Sequence, residues 1–290
     1  MWLERFFTKK TKAQATPNHA TELPESSGGI LHVSFTTNAG NVRTENEDNF
    51  FVTGYGEKKT KACSDEIQIS DAGLCIFAVF DGMGGEAYGE EASAIAAVTL
   101  KECYPEFTTS NENKIPLKVQ EFVKKANAKI CRMIQEKHCG RSGCTMVLVC
   151  ILRGMVYAFS VGDSRIYLHN ATFQQISEDQ TLAMKKFKAN IYTAEEARNS
   201  RDAHQLTAYI GMDNRNVGIP MLSYQPFPLM EGQLLLCSDG LTDMCSDTEI
   251  ASLLQMQTEH SSSLLVERAL QNGGQDNVTC IVIQYEKKSV

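Results

Sequence analysis

Short apolar runs of four to eight residues, most closed by Gly, Asp or Asn, set the strongest constraint on how this chain folds. They occupy residues 32–36, 50–53, 74–80, 145–152, 155–161, 165–169, 233–237 and 278–285. Runs of that length, bounded by turn residues, read as strands. Two longer segments carry helical periodicity instead: residues 86–103 place Ala92, Ile95, Ala96 and Thr99 on one face, and residues 116–137 do the same with Val119, Val123, Ala126, Ile130 and Ile134. Ser246-x-x-Glu249 is a capping box that starts a further helix, and Gly273 and Gly274 stop the next one. Strands separated by runs of helices, with hairpin turns expected near residue 154 and at residues 162–164, argue for antiparallel sheets rather than βαβ repetition. Several of the runs are apolar throughout, as strands buried on both faces must be. Two sheets covered by helices satisfy both conditions, an α+β arrangement.

Composition narrows the function. The 28 Lys and Arg against 35 Asp and Glu leave a formal charge of -7, the wrong sign for binding a nucleic-acid backbone. Ten cysteines include no C-x-x-C pair, and Cys75, Cys150, Cys237 and Cys280 sit inside apolar runs as small hydrophobes. A reducing, cytoplasmic setting is expected. The longest apolar stretches fall far short of the roughly 20 residues that cross a bilayer. Residues 1–28 are rich in Pro, Ser, Thr, Lys and Glu after Phe7 and read as a disordered, solvated tail. The tail is not expected to be a secretory signal, but Trp2, Leu3, Phe6 and Phe7, followed by Lys9, Lys10 and Lys12, leave it as the one expected route to a membrane. Residues 29–290 are expected to form a single domain.

Three apolar runs end in an aspartate: residues 76–80 lead into Asp81-Gly82, residues 158–161 into Gly162-Asp163, and residues 234–237 into Ser238-Asp239-Gly240. A fourth aspartate, Asp276, opens the last run. Singly, each is ordinary turn chemistry. Converging on one edge of a core, they would be desolvated and would repel one another unless cations sat between them. Oxygen donors with no His or Cys adjacent in sequence select hard ions such as Mg²⁺ or Mn²⁺. Asp48, in Asn46-Glu47-Asp48-Asn49, adds another carboxylate, and Arg43 lies five residues before it. A solvated surface charge is the usual fate of an arginine, but its planar fork also suits two oxygens of a phosphoryl group.

Six motifs occur together in order: Arg43-x-x-Asn46-Glu47-Asp48, Val79-Phe80-Asp81-Gly82-Met83-Gly84-Gly85, Ser142-Gly143-Cys144-Thr145, Val161-Gly162-Asp163-Ser164-Arg165, Cys237-Ser238-Asp239-Gly240-Leu241 and Gly274-Gln275-Asp276-Asn277-Val278-Thr279. In this the chain, from about residue 31 to 285, resembles the metal-dependent type-2C protein serine/threonine phosphatases, in their bacterial branch. The resemblance implies an α-β-β-α sandwich of two mainly antiparallel sheets with a dimetal site at one end. It implies two core ions of Mn²⁺ or Mg²⁺: Asp81 bridging both, Gly82 lending a carbonyl to one, Asp239 and Asp276 completing the other, and Asp48 and Glu47 holding waters. Asp163 with Asp239 matches the position of a third, weaker ion. Arg43 would grip the phosphate while a water activated between the cations attacks phosphorus in line. Cys237 and Ser238 are poor nucleophile candidates beside Asp239, because an apolar strand gives no cationic setting to make a thiolate.

The chain departs from the family pattern in three places. Met83 stands where some members carry His, and cannot donate a proton. Residues 181–205 align with the flap of bacterial members; Thr193-Ala194-Glu195-Glu196-Ala197 fits a short helix there, and Lys185, Lys186 and Lys188 either guide substrate or solvate the flap. Gln180 follows Asp179 where members often carry His. The alternatives are a phosphatase of an anti-sigma-factor antagonist, a catalytically inactive phosphoprotein-binding relative, and a hydrolase of small phosphate esters. Phosphorylated proteins are the expected partners, an opposing Ser/Thr kinase the expected counterpart, and a monomer the expected state.

Overall fold

The computed structural model describes residues 29–58, 61–84, 88–108, 111–213, 218–229, 232–256 and 259–286; the expected tail, Gly85 and the expected helix start at residues 86–87 lie outside the described residues. The elements run β1 (Ile30–Asn38), β2 (Asn49–Val52), β3 (Gly56–Glu57), β4 (Cys63–Ser70), β5 (Cys75–Phe80), β6 (Gly82–Met83), α1 (Tyr88–Thr108), α2 (Ile115–Lys137), β7 (Gly143–Cys144), β8 (Met146–Leu152), β9 (Met155–Val161), β10 (Arg165–His169) and β11 (Phe173–Gln175). They continue with α3 (Leu182–Lys188), α4 (Ala194–Asn199), a 3-10 turn (Arg201–His204), β12 (Leu222–Ser223), β13 (Phe227–Pro228), β14 (Gln233–Cys237), α5 (Asp239–Thr242), α6 (Asp247–Leu254), α7 (Ser261–Gln271) and β15 (Val278–Glu286).

One sheet has the order β11-β10-β14-β15-β1-β4, the other β12-β9-β8-β5-β2-β3 with β13 also on β9, and every pairing in them is antiparallel. Strand geometry turns successive side chains to opposite faces, so each fully apolar run serves two cores. In β5, Cys75, Phe77 and Val79 meet Phe35, Leu236 and Ile281 between the sheets, while Ile76, Ala78 and Phe80 pack with Ala96, Leu100 and Phe122 of α1 and α2. In β14 and β15, Leu235, Cys237, Val278 and Cys280 likewise turn outward to Leu254, Leu265 and Ala269 of α6 and α7. The result is the four-layered α-β-β-α sandwich. Phe77 is fully buried in the layer between the sheets. Phe77→Ala should therefore cost about 3–5 kcal/mol, read as a lower urea midpoint at unchanged m-value; a shift below about 1 kcal/mol would mean that this layer repacks freely.

Local chemistry fixes the joints. Arg153 (φ 49°) and Gly154 (φ 72°) form the β8–β9 hairpin turn, whose left-handed residues match the twist of the strands. Ser246 and Glu249 make the expected capping box on α6, Thr193 and Glu196 make another on α4, and Gly273 and Gly274 follow the end of α7 with positive φ. The hairpin expected at residues 162–164 is not one. β9 pairs β8, β12 and β13, whereas β10 pairs β11 and β14 in the other sheet, so Gly162, Asp163 and Ser164 carry the chain across the sandwich. A Gly-Asp-Ser segment of that length reads the same whether the next strand returns to its neighbour or crosses over. Here Gly162 adopts φ +99°, and a Cβ on it would come within 2.7 Å of Thr145 Cγ2.

Candidate metal centre

Strand register gathers the acidic residues at one end of the sandwich. Asn38 pairs with Val278, Cys237 with Cys280, Phe80 with Asn49, and Val161 with Met146. The loop carrying Arg43, Glu47 and Asp48, the end of β5 with Asp81 and Gly82, the crossover with Asp163, the start of α5 with Asp239, and Asp276 before β15 all therefore emerge on the same side.

Hydrogen bonds and close packing hold most of them in place. Thr145 clamps Asp81: its N–H donates to the Asp81 carbonyl at 2.8 Å, and its Oγ1 accepts the Asp81 N–H at 3.1 Å while sharing a hydrogen bond with Ser164 Oγ at 2.6 Å. Gly82 is required by close approach, since a Cβ there would sit 2.3 Å from the Gly89 carbonyl and 2.5 Å from that of Glu47. Asn277 fastens the Arg43–Asp48 loop: its Oδ1 accepts from Glu47 N at 2.8 Å, and its Nδ2 donates to the carbonyls of Ala39 and Glu45. Ser238 donates to Asp48 Oδ2 at 2.7 Å and accepts from Thr279 N. That bond spends the hydroxyl, and burial raises the neighbouring Cys237 thiol, so neither is a nucleophile.

Asp48 is 1% exposed, and its Oδ1 has no hydrogen-bond partner among the described residues. Burial pushes its carboxyl up to about 7. Asp81 is raised well above the usual carboxylate range by burial and then by the charges of Asp239, Asp48 and Asp163. Asp163 is raised by burial and Asp239, and Asp239 by burial and Asp276, with Asp81 in hydrogen-bond contact with Asp239. An orphaned carboxylate oxygen amid mutually repelling carboxylates is what a divalent cation relieves, and an all-oxygen donor set fits Mn²⁺ or Mg²⁺. Asp276 is engaged through both oxygens: its Oδ2 accepts from Arg43 Nη2 at 2.7 Å and its Oδ1 from Asn277 N. Glu47 lies against the first turn of α1, where a Cβ on Gly89 would come within 2.8 Å of its carboxyl carbon. Burial raises its carboxyl and Arg43 opposes the shift.

The departures from the family pattern acquire a structure. Met83 lies in β6, paired with Gly143. Gln180 Oε1 accepts from Gly162 N at 2.8 Å and its Nε2 donates to the Pro220 carbonyl at 2.6 Å, while Gln180 N donates to the Gly162 carbonyl. Asp179 pairs with Arg165, Nη2 to Oδ2 at 2.7 Å. Lys186 is engaged by Asp202 and Tyr192, and Lys188 by Glu178, so these two lysines brace residues 178–204 internally. Sequence reasoning missed Asp243 and His204, which join Asp239 at the same end. The i,i+4 spacing of Asp239 and Asp243 was a usable signal for the first; nothing local announced the second. A cavity of about 460 Å³ lined by His32, Glu66, Gln233 and Glu286 shares no residue with this cluster. No helix among the described residues is long and apolar enough to cross a membrane.

The comparisons agree with the geometry. Residues 56–272 match the family model for protein phosphatase 2C, a span that contains Asp81, Asp163 and Asp239. The serine/threonine phosphatase Stp of Listeria welshimeri is 28% identical over 260 residues, covering 88% of this chain and 96% of the relative. Among solved structures, the serine/threonine phosphatase Stp1 of Staphylococcus aureus superposes with a TM-score of 0.74 at 28% identity, covering 88% of this chain and 94% of that one. The catalytic domain of the phosphatase PstP, solved with two manganese ions, gives 0.69 at 27% identity, covering 89% and 99%. This chain belongs to the protein phosphatase 2C family.

Proposed function

We propose that this chain is a protein serine/threonine phosphatase in which Asp48, Asp81, Gly82, Asp239 and Asp276, with Glu47 through water, hold two Mn²⁺ or Mg²⁺ ions. Asp163 stands beside them as a further carboxylate for a weaker ion. The buried, unpartnered Asp48 Oδ1 among carboxylates that repel one another carries the reading. When bound, divalent cations supply a water acidic enough to attack phosphorus and neutralise charge on the phosphoryl oxygens. The chain's own groups do the rest. Ser238, Thr145 and Asn277 fix the ligands in position by the hydrogen bonds described above. Arg43, half exposed at the rim, offers its guanidinium to the phosphate, exchanging the Asp276 carboxylate for phosphoryl oxygens. Met83 leaves the leaving-group proton to water or another side chain.

Residues 29–290 form the catalytic unit, working as a monomer in the cytoplasm against a Ser/Thr kinase that marks the same proteins. The family relationship and the retained carboxylates favour this over an inactive binding relative. Arg43→Ala is expected to raise KM for a phosphothreonine peptide about tenfold with a smaller change in kcat; an unchanged KM would remove Arg43 from phosphate binding. Turnover of sugar phosphates matching that of the peptide would instead assign the chain to small esters.

A further inference from the structure

The cavity of about 460 Å³ lies at the end of the sandwich away from the carboxylate cluster. β1 runs the length of its sheet, with Asn38 opposite Val278 at the cluster end and Ile30 opposite Glu286 at the other. His32, Gln284 and Gln233 pair across β1, β15 and β14 near that far end, on the face that Val282 and Leu235 turn toward α6 and α7. Two features of the cavity call for a ligand. Glu66, Glu259 and Glu286 line it, with no Lys or Arg among the described residues around it. His260 engages Glu66, and His32 engages Glu286 at 2.8 Å, which orients both carboxylates. Gln233, 3% exposed, lines the cavity as well, and its Nε2 has no hydrogen-bond partner among the described residues, while its Oε1 meets His169 Nδ1 at 3.3 Å. A buried N–H is costly until an acceptor reaches it. A ligand that answers both features carries cations beside a carbonyl, as a basic peptide does.

The chain itself supplies such a peptide. It enters the sheet at this same end: Gly29 N donates to Asp71 Oδ1 at 2.8 Å, and a Cβ on Gly29 would run into the ring of Tyr285, which lines the cavity. Upstream, within residues 1–12, Arg5, Lys9, Lys10 and Lys12 stand against one acid, Glu4. Residues 13–28 join that segment to Gly29, a length that spans about 50 Å when extended. Tethering sets its effective concentration on the order of millimolar, so an affinity too weak to hold a free peptide holds this one. We propose that residues 1–12 dock in the cavity, with their cations on Glu66, Glu259 and Glu286 and a backbone carbonyl on Gln233 Nε2. Docking leaves the carboxylate cluster open at the other end. It also withholds from a membrane the segment of the chain best suited to meet one. The inference is independent of the metal-dependent reading above.

Trp2 is the single tryptophan of the chain, so its fluorescence reports on the segment alone. The test is acrylamide quenching of Trp2 in the full chain, with a synthetic peptide of residues 1–14 as the undocked reference. At low salt the quenching constant of the full chain should be about half that of the peptide or less, and it should rise to the peptide value in about 0.5 M NaCl, where the Debye length is about 4 Å. Lys9→Glu/Lys10→Glu/Lys12→Glu should abolish the protection, as should Glu66→Lys/Glu259→Lys, and the two sets combined should restore it. Gln233→Met, which keeps the volume and removes the donor, should raise quenching without altering any charge. Turnover of a phosphothreonine peptide should be the same throughout. The lysine substitutions touch no part of the described fold, so they decide the matter even where Glu66→Lys/Glu259→Lys fails to fold. Trp2 quenched as readily in the wild type as in the free peptide overturns the proposal, and so does protection that survives the lysine substitutions. Protection lost on dilution overturns it by assigning the cavity to a second copy's segment. Turnover that changes with the lysine substitutions overturns it by placing the segment at the carboxylate cluster instead.

Discussion

Asp239→Asn is expected to lower kcat on a phosphothreonine peptide by about 10³-fold or more at saturating Mn²⁺. Asp239 adjoins more of the cluster than its neighbours do: its charge acts on Asp81, Asp48, Asp163 and Asp243, and Asp276 acts on it. Asparagine keeps the shape and one acceptor oxygen but removes the charge. The same substitution relieves repulsion, so in EDTA the variant should unfold at the wild-type denaturant concentration or above it. Activity and stability then move in opposite directions, which separates a lost ligand from a damaged fold. Near wild-type turnover would remove Asp239 from the chemistry.

Chelation is expected to abolish turnover of p-nitrophenyl phosphate and to change how stability depends on pH. The sign follows from Asp48, whose carboxyl is raised from 3.8 to about 7 by burial. Between those values the folded chain holds a proton that the unfolded chain has released. In EDTA the contribution of Asp48 to stability is therefore fully present below about pH 4 and is lost as pH rises to about 7, at up to about 1.4 kcal/mol per pH unit. Carboxylates held in ion pairs, such as Glu106 and Asp202, act in the opposite sense, so the comparison must be with Asp48→Asn. The wild type should lose ground to that variant across this window. Mn²⁺ at 100 times its Kd should restore about 2.7 kcal/mol near neutral pH, because ions bind the folded carboxylates and not the unfolded chain. A wild type that gained on Asp48→Asn with rising pH would contradict the assignment of Asp48 as a buried carboxylate.

What the residues announced in advance depended on how much side-chain chemistry each element carries. The runs that became β5, β8, β9, β14 and β15 were plain because most of their residues, on both faces, are buried and apolar. β4 escaped notice for the opposite reason. Among the described residues it is an edge strand paired only with β1, it reads Cys-Ser-Asp-Glu-Ile-Gln-Ile-Ser, and only Cys63, Ile67 and Ile69 reach the core. Charged residues on such an edge discourage pairing with other chains. The aspartates were legible because an acid at the end of an apolar run is conspicuous. Thr145, Ser238 and Asn277 stood within quoted motifs, yet their tasks depend on partners far off in sequence: Asn277 acts on Glu47, and Ser238 on Asp48. His204 was further out of reach, since its meeting with Asp239 and Asp243 follows from how residues 181–205 fold back over α5.

Gln180 gives the base of that segment an attachment of unusual constancy. A carboxamide presents a donor and an acceptor at once and keeps both at every physiological acidity, whereas an imidazole in the same position would trade its acceptor for a second donor on taking up a proton. The grip on Gly162 and Pro220 therefore has no titration of its own. Acid sensitivity in this enzyme must therefore enter elsewhere, and this one attachment stays the same in neutral and mildly acid surroundings.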